Sequence, residues 1–175
     1  MKRICAIAAL ALAAVLVMAA AASADIVTTI TPANAPSGTH VANNSDDPAC
    51  TVDDDLSVDC NAYVLGGVGN TNATATLTAE YTATIDCNNP GNNRNNPIES
   101  HTSDFEATES VPVFPARNGQ LRVPALSVSP FEAAQVCPND NWVPEIRDGT
   151  LVLQSFTYTL TFAGRDSPFI MITGP

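Results

Sequence analysis

The stretch that decides the fold of this protein is residues 73–87, which read ATATLTAEYTATIDC. The odd positions carry alanine, leucine, tyrosine, isoleucine or cysteine, and the even positions carry threonine, glutamate or aspartate. Because successive side chains of a β-strand point to opposite faces, this period of two predicts a long strand with one apolar and one solvated face. Cys87 lies on the apolar side, which favours a buried disulfide over a reactive thiol.

Shorter segments with strand-like patterns surround this long strand. Glycine, proline and asparagine turns separate them, and no segment after the N-terminal region shows a convincing helical period. Pro112 places its strand at a sheet edge, because proline cannot donate a hydrogen bond to a neighbouring strand. The other predicted strands are 26–31, 56–65, 105–114, 121–128, 142–147, 150–163 and 169–173.

This series of strands predicts an all-β fold. An antiparallel β-sandwich with Greek-key or immunoglobulin-like connectivity is favoured, and a β-barrel is the alternative. Asn118-Gly119 predicts the turn of a hairpin. Residues 32–55 and 88–102, rich in asparagine, proline and acidic side chains, are expected to form long loops.

The N-terminal region carries the pattern of an export signal. Two basic residues precede an apolar run over residues 4–22, which ends in a small-residue cleavage pattern at 22–24. This pattern predicts a signal peptide over 1–24 and a single secreted domain over 25–175, with no membrane span after cleavage. A transmembrane anchor is disfavoured because no basic stop-transfer cluster follows the run.

The charge balance is strongly acidic. The formal net charge is −11, and it becomes −13 once Lys2 and Arg3 are removed with the signal peptide, because all 18 acidic residues follow residue 24. Nucleic acids and anionic membrane surfaces are therefore disfavoured as partners, since both require basic patches. Solubility explains such a surface most simply, and cation binding is the sharper hypothesis.

Four cysteines follow the signal peptide: Cys50, Cys60, Cys87 and Cys137. An even number in an exported domain predicts two disulfides, for which three pairings are possible. We favour Cys50–Cys60, which closes a short loop, with Cys87–Cys137, which joins the end of one strand to the start of another. The single tryptophan, Trp142, is expected to pack on the second disulfide.

A run of carboxylates surrounds the first cysteine pair. Asp53, Asp54 and Asp55 are consecutive, and oxygen-rich loops of this kind suit calcium. The sequence lacks the glycine and closing glutamate of an EF-hand, and a solvated acidic loop is the simpler interpretation. These three aspartates are the candidate calcium ligands, and no other cofactor is predicted.

No residue is nominated as catalytic. The two histidines, His40 and His101, fall in predicted loops, and the motifs of zinc proteases and of α/β-hydrolases are absent from the sequence. Paired carboxylates keep an extracellular hydrolase as an alternative, since an acidic chain offers many such pairs.

Four short motifs resemble those of a group of small exported bacterial proteins. The resemblance spans residues 56–163 and implies an exported β-domain with a Cys87–Cys137 bridge, but it brings no activity. The motifs are Gly67-Val68-Gly69-Asn70, Cys87-Asn88-Asn89-Pro90-Gly91-Asn92-Asn93, Asn118-Gly119 and Cys137-Pro138-Asn139-Asp140-Asn141-Trp142.

The sequence as a whole favours a non-catalytic secreted or cell-surface module that binds an unknown extracellular or envelope partner, or serves a structural role. A calcium-dependent adhesion domain and an extracellular hydrolase are the alternatives. Convergence of the acidic loop with the asparagine-rich loop over 88–102 would define one binding face, whereas their separation would favour passive solubility.

Overall fold

The computed structural model of the protein describes residues 25–91, 97–130 and 137–175. The predicted signal peptide lies outside these residues. Within them the chain forms twelve β-strands and a short 3-10 turn at Pro32–Asn34. The strands are β1 (Val27–Ile30), β2 (His40–Val41), β3 (Cys50–Val52), β4 (Val58–Cys60), β5 (Tyr63–Gly66), β6 (Ala73–Asn88), β7 (Glu99–Val113), β8 (Leu121–Val123), β9 (Leu126–Val128), β10 (Val143–Ile146), β11 (Val152–Phe162) and β12 (Ile170–Gly174).

Strand β6 is the centre of a six-stranded antiparallel sheet. β7 pairs with one side of it from Ala73 to Cys87. On the other side, β11 pairs with residues 73–82 and β10 with residues 85–88, and β12 and then β1 continue the sheet beyond β11. β6 holds partners on both sides over most of its length because its sixteen residues include no glycine or proline to interrupt the ladder.

Two three-stranded sheets, β2-β5-β8 and β3-β4-β9, complete the fold. Only Asn61 and Ala62 separate β4 from β5, and only Pro124 and Ala125 separate their partners β8 and β9. The pairing register is the same on both sides of this gap. The two small sheets are therefore two parts of one ladder, interrupted where Pro124 has no N–H to donate.

The main core joins the six-stranded sheet to both small sheets in a single cluster of buried side chains. Leu77 of β6, Phe156 of β11 and Leu65 of β5 are among its most deeply buried members. The hydroxyl groups of Tyr63 and Tyr158 meet inside it, 2.8 Å apart, and hydrogen-bond to each other. Packing of the sheets on a shared core is compatible with the expected sandwich.

The structure confirms an all-β antiparallel fold with the disulfides Cys50–Cys60 and Cys87–Cys137. The sandwich and its Greek-key or immunoglobulin-like connectivity stay a prediction. β7 pairs only with β6, so Pro112 lies on an edge strand as predicted. None of the helical segments within the described residues is long and apolar enough to cross a membrane.

Several boundaries differ from the sequence prediction. Residues 32–55 were expected to form a loop but contain β2 and β3, which add edges to strands of the small sheets. Residues 56–65 and 121–128 are each split in two at the interrupted ladder. The Asn118-Gly119 turn forms as predicted and carries one antiparallel bridge, Pro115 to Leu121, but β8 then pairs with β5 and the hairpin extends no further. β7 begins at Glu99, inside the predicted loop, because β6 offers a full ladder of backbone partners there.

Candidate binding surfaces

The solvated side of the six-stranded sheet carries an array of hydroxyl groups. Three aligned rows cross the strands, and ten of their thirteen positions are serine or threonine, with no charged residue among them. We call these thirteen positions the hydroxyl face. Its rows are Pro112–Thr74–Thr161, then Ser110–Thr76–Thr159–Met171–Thr29, then Thr108–Thr78–Thr157–Thr173–Val27.

The regularity of this face follows from sheet geometry. Neighbouring strands lie about 4.8 Å apart, and alternate residues along one strand lie about 6.7 Å apart. The hydroxyls of Thr76 and Ser110 are 2.9 Å apart, and those of Thr78 and Thr108 are 3.1 Å apart, so cross-strand hydrogen bonds hold their side chains in place. A hydroxyl both donates and accepts, so each retains capacity for a ligand.

A row of carboxylates ends the hydroxyl face. Glu80 of β6 lies directly opposite Glu106 of β7, and Asp104 lies one row further along. Hydrogen bonds from Ser155 to Glu80, from Thr108 to Glu106, and from Thr82 to Asp104 hold the three side chains on this side of the sheet. Like charges in direct cross-strand register oppose sheet formation, so this boundary has an energetic cost.

A second surface lies on the outer side of the β3-β4-β9 sheet. It is a basin of about 710 Å³ whose lining includes Asn61 and Ala125. Asp46 and Asp47 line it, as do Asp59 and Glu109, and the lining that the described residues provide includes no arginine or lysine. The basin therefore excludes anions by charge.

The candidate calcium ligands lie in the turn between β3 and β4. The nearby carboxyl group of Asp59 favours the protonated form of Asp53, both as a hydrogen-bond acceptor and by charge repulsion, and so raises the pKa of Asp53 above its ordinary value. Asp55 instead accepts a hydrogen bond from the Ser57 backbone N–H at 3.0 Å, which lowers the pKa of Asp55. Within the described residues, no three His, Cys, Asp or Glu side chains are grouped so as to hold a metal ion. A calcium site at Asp53, Asp54 and Asp55 stays a prediction.

We expect opposite effects from the same substitution at two positions of this turn. Asp53→Asn should raise the melting temperature at neutral pH, because the raised pKa means that ionised Asp53 destabilises the folded state. Asp55→Asn should lower it, because the lowered pKa of Asp55 reflects a stabilising hydrogen bond to the ionised form.

The pH dependence provides the control for this pair. The destabilisation by Asp53 develops as pH rises through its ordinary and then its raised pKa, whereas the stabilisation by Asp55 is lost as pH falls through its lowered pKa. The differences in melting temperature between each variant and wild type should therefore shrink at acid pH. Thermal melts that show the same sign for both variants at neutral pH would contradict this account, and a calcium-dependent rise abolished by Asp53→Asn would support a metal site.

The far end of β6 has its own small core. Cys87 and Cys137 form a disulfide there, and Trp142 packs against the cluster that they share with Ala83 and Ile85, as predicted. The ladder continues past this core to Asn88.

An ion pair covers the solvated side of this region. The guanidinium of Arg147 donates to Asp86 at 2.7 Å and to the hydroxyl of Ser100 at 2.8 Å. These bonds lower the pKa of Asp86 and raise that of Arg147. The side chain of Arg147 is 46% exposed and that of Asp86 is 18% exposed, so solvent screens the pair mainly at its Arg147 end, and its main role is to fix β10 against β6 and β7.

The acidic turn and the asparagine-rich segment do not converge within the described residues. The Tyr81 hydroxyl donates to the carbonyl of Leu56 at 3.0 Å, which places the acidic turn beside the middle of β6. Asn88 lies seven residues further along the strand, about 23 Å away at 3.3 Å per residue. Residues 92–96 lie outside the described residues. This separation does not support a single binding face built from both loops.

The two histidines lie on strands, His40 in β2 and His101 in β7. Nδ1 of His40 lies 2.8 Å from the carbonyl oxygen of Gly38, and its ring covers Gly66 so closely that a side chain there would collide with it. Nδ1 of His101 is buried without a hydrogen-bond partner on the strand opposite Ile85. The hydrolase hypothesis stays a prediction.

The comparisons add no relative to these observations: no family model, curated protein or solved structure matches the chain. The resemblance carried by the four short motifs stays a prediction.

Sequence reasoning predicted the threonine side of β6 but missed the face that it belongs to. The hydroxyl face needs Ser110 and Thr108 from β7 and Thr157 and Thr159 from β11, in register with β6. Each of these strands shows its own alternation in the sequence. Only the pairing order, however, reveals that their polar sides align.

Proposed function

We propose that the protein is a non-catalytic exported module whose hydroxyl face binds a neutral polysaccharide of the extracellular space or cell envelope. The observation that carries this proposal is the uncharged hydroxyl array on a chain with 18 acidic residues. The two disulfides support export, because such bonds persist in oxidising compartments.

The chemistry of the face favours a neutral, hydroxyl-bearing ligand. Sugar hydroxyls donate and accept hydrogen bonds, and so do the threonine hydroxyls at the regular spacing of the sheet. Anionic ligands are repelled by the carboxylates of Glu80 and Glu106 beside the face and by the net charge.

A purely structural role is the competing explanation. Cross-strand threonine and serine pairs stabilise sheets by about 0.2–1 kcal/mol each. That explanation accounts for Thr76–Ser110 and Thr78–Thr108, which hydrogen-bond to each other. It does not account for the exclusion of charge from all three rows, since charged residues are common on solvated sheet faces.

The test is a pelleting assay on insoluble chitin, cellulose and β-1,3-glucan, scored by depletion of protein from solution. We expect wild-type protein to bind at least one of these neutral polymers. Thr76→Val/Thr159→Val keeps the branched shape but removes two hydroxyls, and should weaken binding about tenfold at roughly 0.5–1.5 kcal/mol per hydrogen bond. Thr76→Lys/Thr159→Lys should abolish it.

Thr51→Lys/Thr102→Lys is the matched control, because it adds the same charge at two exposed positions outside the hydroxyl face. It should bind like wild type, and all variants should keep wild-type melting curves to within a few degrees. Failure of wild-type protein to bind any of the polymers, or equal loss in the control, would overturn the proposal and favour the structural role.

A further inference from the structure

Among the described residues, no strand pairs with the outer side of β1, which leaves one edge of the six-stranded sheet open. The Thr31 N–H donates to the Phe169 carbonyl at 2.8 Å, whereas the Phe169 N–H donates to the Leu160 carbonyl of β11, so a single bond joins Thr31 to Phe169. Because the backbone N–H and C=O groups of an antiparallel strand point alternately to its two sides, this bond places those of Val27 and Thr29 on the side of β12. The N–H and C=O groups of Ile26, Thr28 and Ile30 therefore point away from the sheet.

The side chains at this edge are apolar and exposed. The exposed fractions are 40% for Ile26, 53% for Val27 and 46% for Ile30. No charged residue occurs between Asp25 and His40 in the sequence. An uncharged strand with free backbone groups is a template for pairing with another strand.

The opposite edge of the same sheet is protected. β7 carries Glu99, Asp104, Glu106 and Glu109, and Pro112 interrupts its donors. Repulsion between carboxylates prevents two β7 edges from approaching each other. β10 also ends the sheet and carries Glu145. Among the described edge strands of this strongly acidic protein, β1 is therefore the one that presents no carboxylate to a second acidic molecule.

We propose that two copies of this chain associate by antiparallel pairing of their β1 strands about a twofold axis at Thr28. The outward-pointing backbone N–H and C=O groups fit this register. Thr28 pairs with Thr28 of the second copy, Ile26 pairs with Ile30 of the second copy, and Ile30 pairs with Ile26 of the second copy. Three hydrogen-bonded pairs supply about six backbone hydrogen bonds. Asp25 lies opposite Thr31 of the second copy, so the two Asp25 carboxylates stay apart.

The pairing covers the exposed apolar side chains, and its twofold axis gives a closed dimer. Ile26 and Ile30 contact their symmetry mates, and the two six-stranded sheets become one continuous sheet. Because β1 has only four residues, the interface is small, and association should be weak and concentration-dependent. The proposal rests on the edge geometry alone and does not depend on polysaccharide binding.

Engineered cysteines test the register on purified protein. Directly opposed residues of a hydrogen-bonded pair have Cα atoms about 5.5 Å apart, which suits a disulfide. Thr28→Cys should therefore form a covalent dimer on mild oxidation. Ile26→Cys is the matched control and should not crosslink, because two Ile26 positions lie four residues apart across the axis, whereas mixing Ile26→Cys with Ile30→Cys should give the mixed dimer.

Sedimentation velocity over a wide range of concentration tests the association without added cysteines. Wild-type protein should show a dimer that grows with concentration, and Thr28→Pro and Ile30→Lys should each abolish it. Met171→Lys adds the same charge on the neighbouring strand and should leave it unchanged. Circular dichroism and melting curves confirm that each variant remains folded.

Three results would overturn the proposal. The first is a protein that stays monomeric at every concentration. This result includes a monomer in which residues 1–24 of the same chain protect the Thr28 amide from hydrogen exchange. The second is equal crosslinking of Thr28→Cys and Ile26→Cys, which indicates random collision. The third is a dimer that survives both Thr28→Pro and Ile30→Lys, which places the contact elsewhere.

Discussion

Replacing Cys87 and Cys137 with alanine should lower the free energy of unfolding by about 4 kcal/mol, because this disulfide closes a loop of 50 residues in the unfolded chain. The loss should be concentrated at the far end of β6. The disulfide forms half of the small cluster that also contains Ala83 and Ile85, and the side chains that pack around it, Trp142 among them, are only partly buried. Urea unfolding followed by circular dichroism measures the total loss.

The second disulfide supplies the matched control. Cys50 and Cys60 lie opposite each other on β3 and β4 and close a loop of 10 residues, so Cys50→Ala/Cys60→Ala should cost less, about 3 kcal/mol. Hydrogen exchange then locates each effect. Loss of Cys87–Cys137 should speed hydrogen exchange in residues 83–88 more than in residues 73–79. Equally faster exchange along the whole of β6 would contradict a separate small core at its far end.

Raising the pH above 10 should unfold the protein cooperatively, and its tyrosines should ionise only as it unfolds. The chain contains three tyrosines, Tyr63, Tyr81 and Tyr158, and burial raises the pKa of all three. The pKa of Tyr81 and that of Tyr158 are each raised to about 12, and that of Tyr63 is raised further. Absorbance near 295 nm follows tyrosinate directly.

The direction of the change in stability with pH follows from the linkage between proton binding and folding. A phenol whose pKa is raised in the folded state releases its proton more readily when unfolded, so stability is intact below about pH 10 and falls above it. Tyr63 and Tyr158 should each remove about 1.4 kcal/mol of stability per pH unit there, and together about 3 kcal/mol by pH 11.

The unfolded chain in urea is the reference for this titration. All three tyrosines should titrate near pH 10 in urea, and later and more steeply in native buffer. A Tyr63→Phe/Tyr158→Phe double variant removes both partners of the 2.8 Å hydroxyl pair and should shift the alkaline transition to higher pH. Gradual ionisation near pH 10 with an unchanged circular dichroism spectrum would show that the two buried hydroxyls are accessible.

The parts of the fold that the sequence predicted well are those in which local pattern and tertiary packing agree. β6 alternates without interruption, and its apolar positions became core while its threonines became surface. The cysteine spacing predicted both disulfides, since one pair is local and the other joins the end of β6 to the segment before β10.

The parts that it missed depend on pairing partners. Residues 99–104 read ESHTSD, which has no apolar face, yet they form strand because β6 supplies backbone partners opposite them. The strand predicted over 121–128 runs through Pro124 without a break, and the interruption of β4 and β5 was missed with it, because those strands follow from the register of a distant segment. The acidic turn was predicted as a metal site from composition, which does not show that Asp59 lies near enough to Asp53 to raise the pKa of Asp53.

The pairing of β1 with β12 also determines when the molecule can finish folding. Val27 lies opposite Thr173, so the earliest strand of the described chain has no partner in its own sheet until the latest strand has been synthesised. Contacts between such distant segments have a high loop-closure entropy and slow the folding of β proteins. During that delay an uncharged, β-branched strand remains unpaired on both sides. We therefore expect newly made chains to aggregate through this segment unless a chaperone binds it or the chain is released quickly.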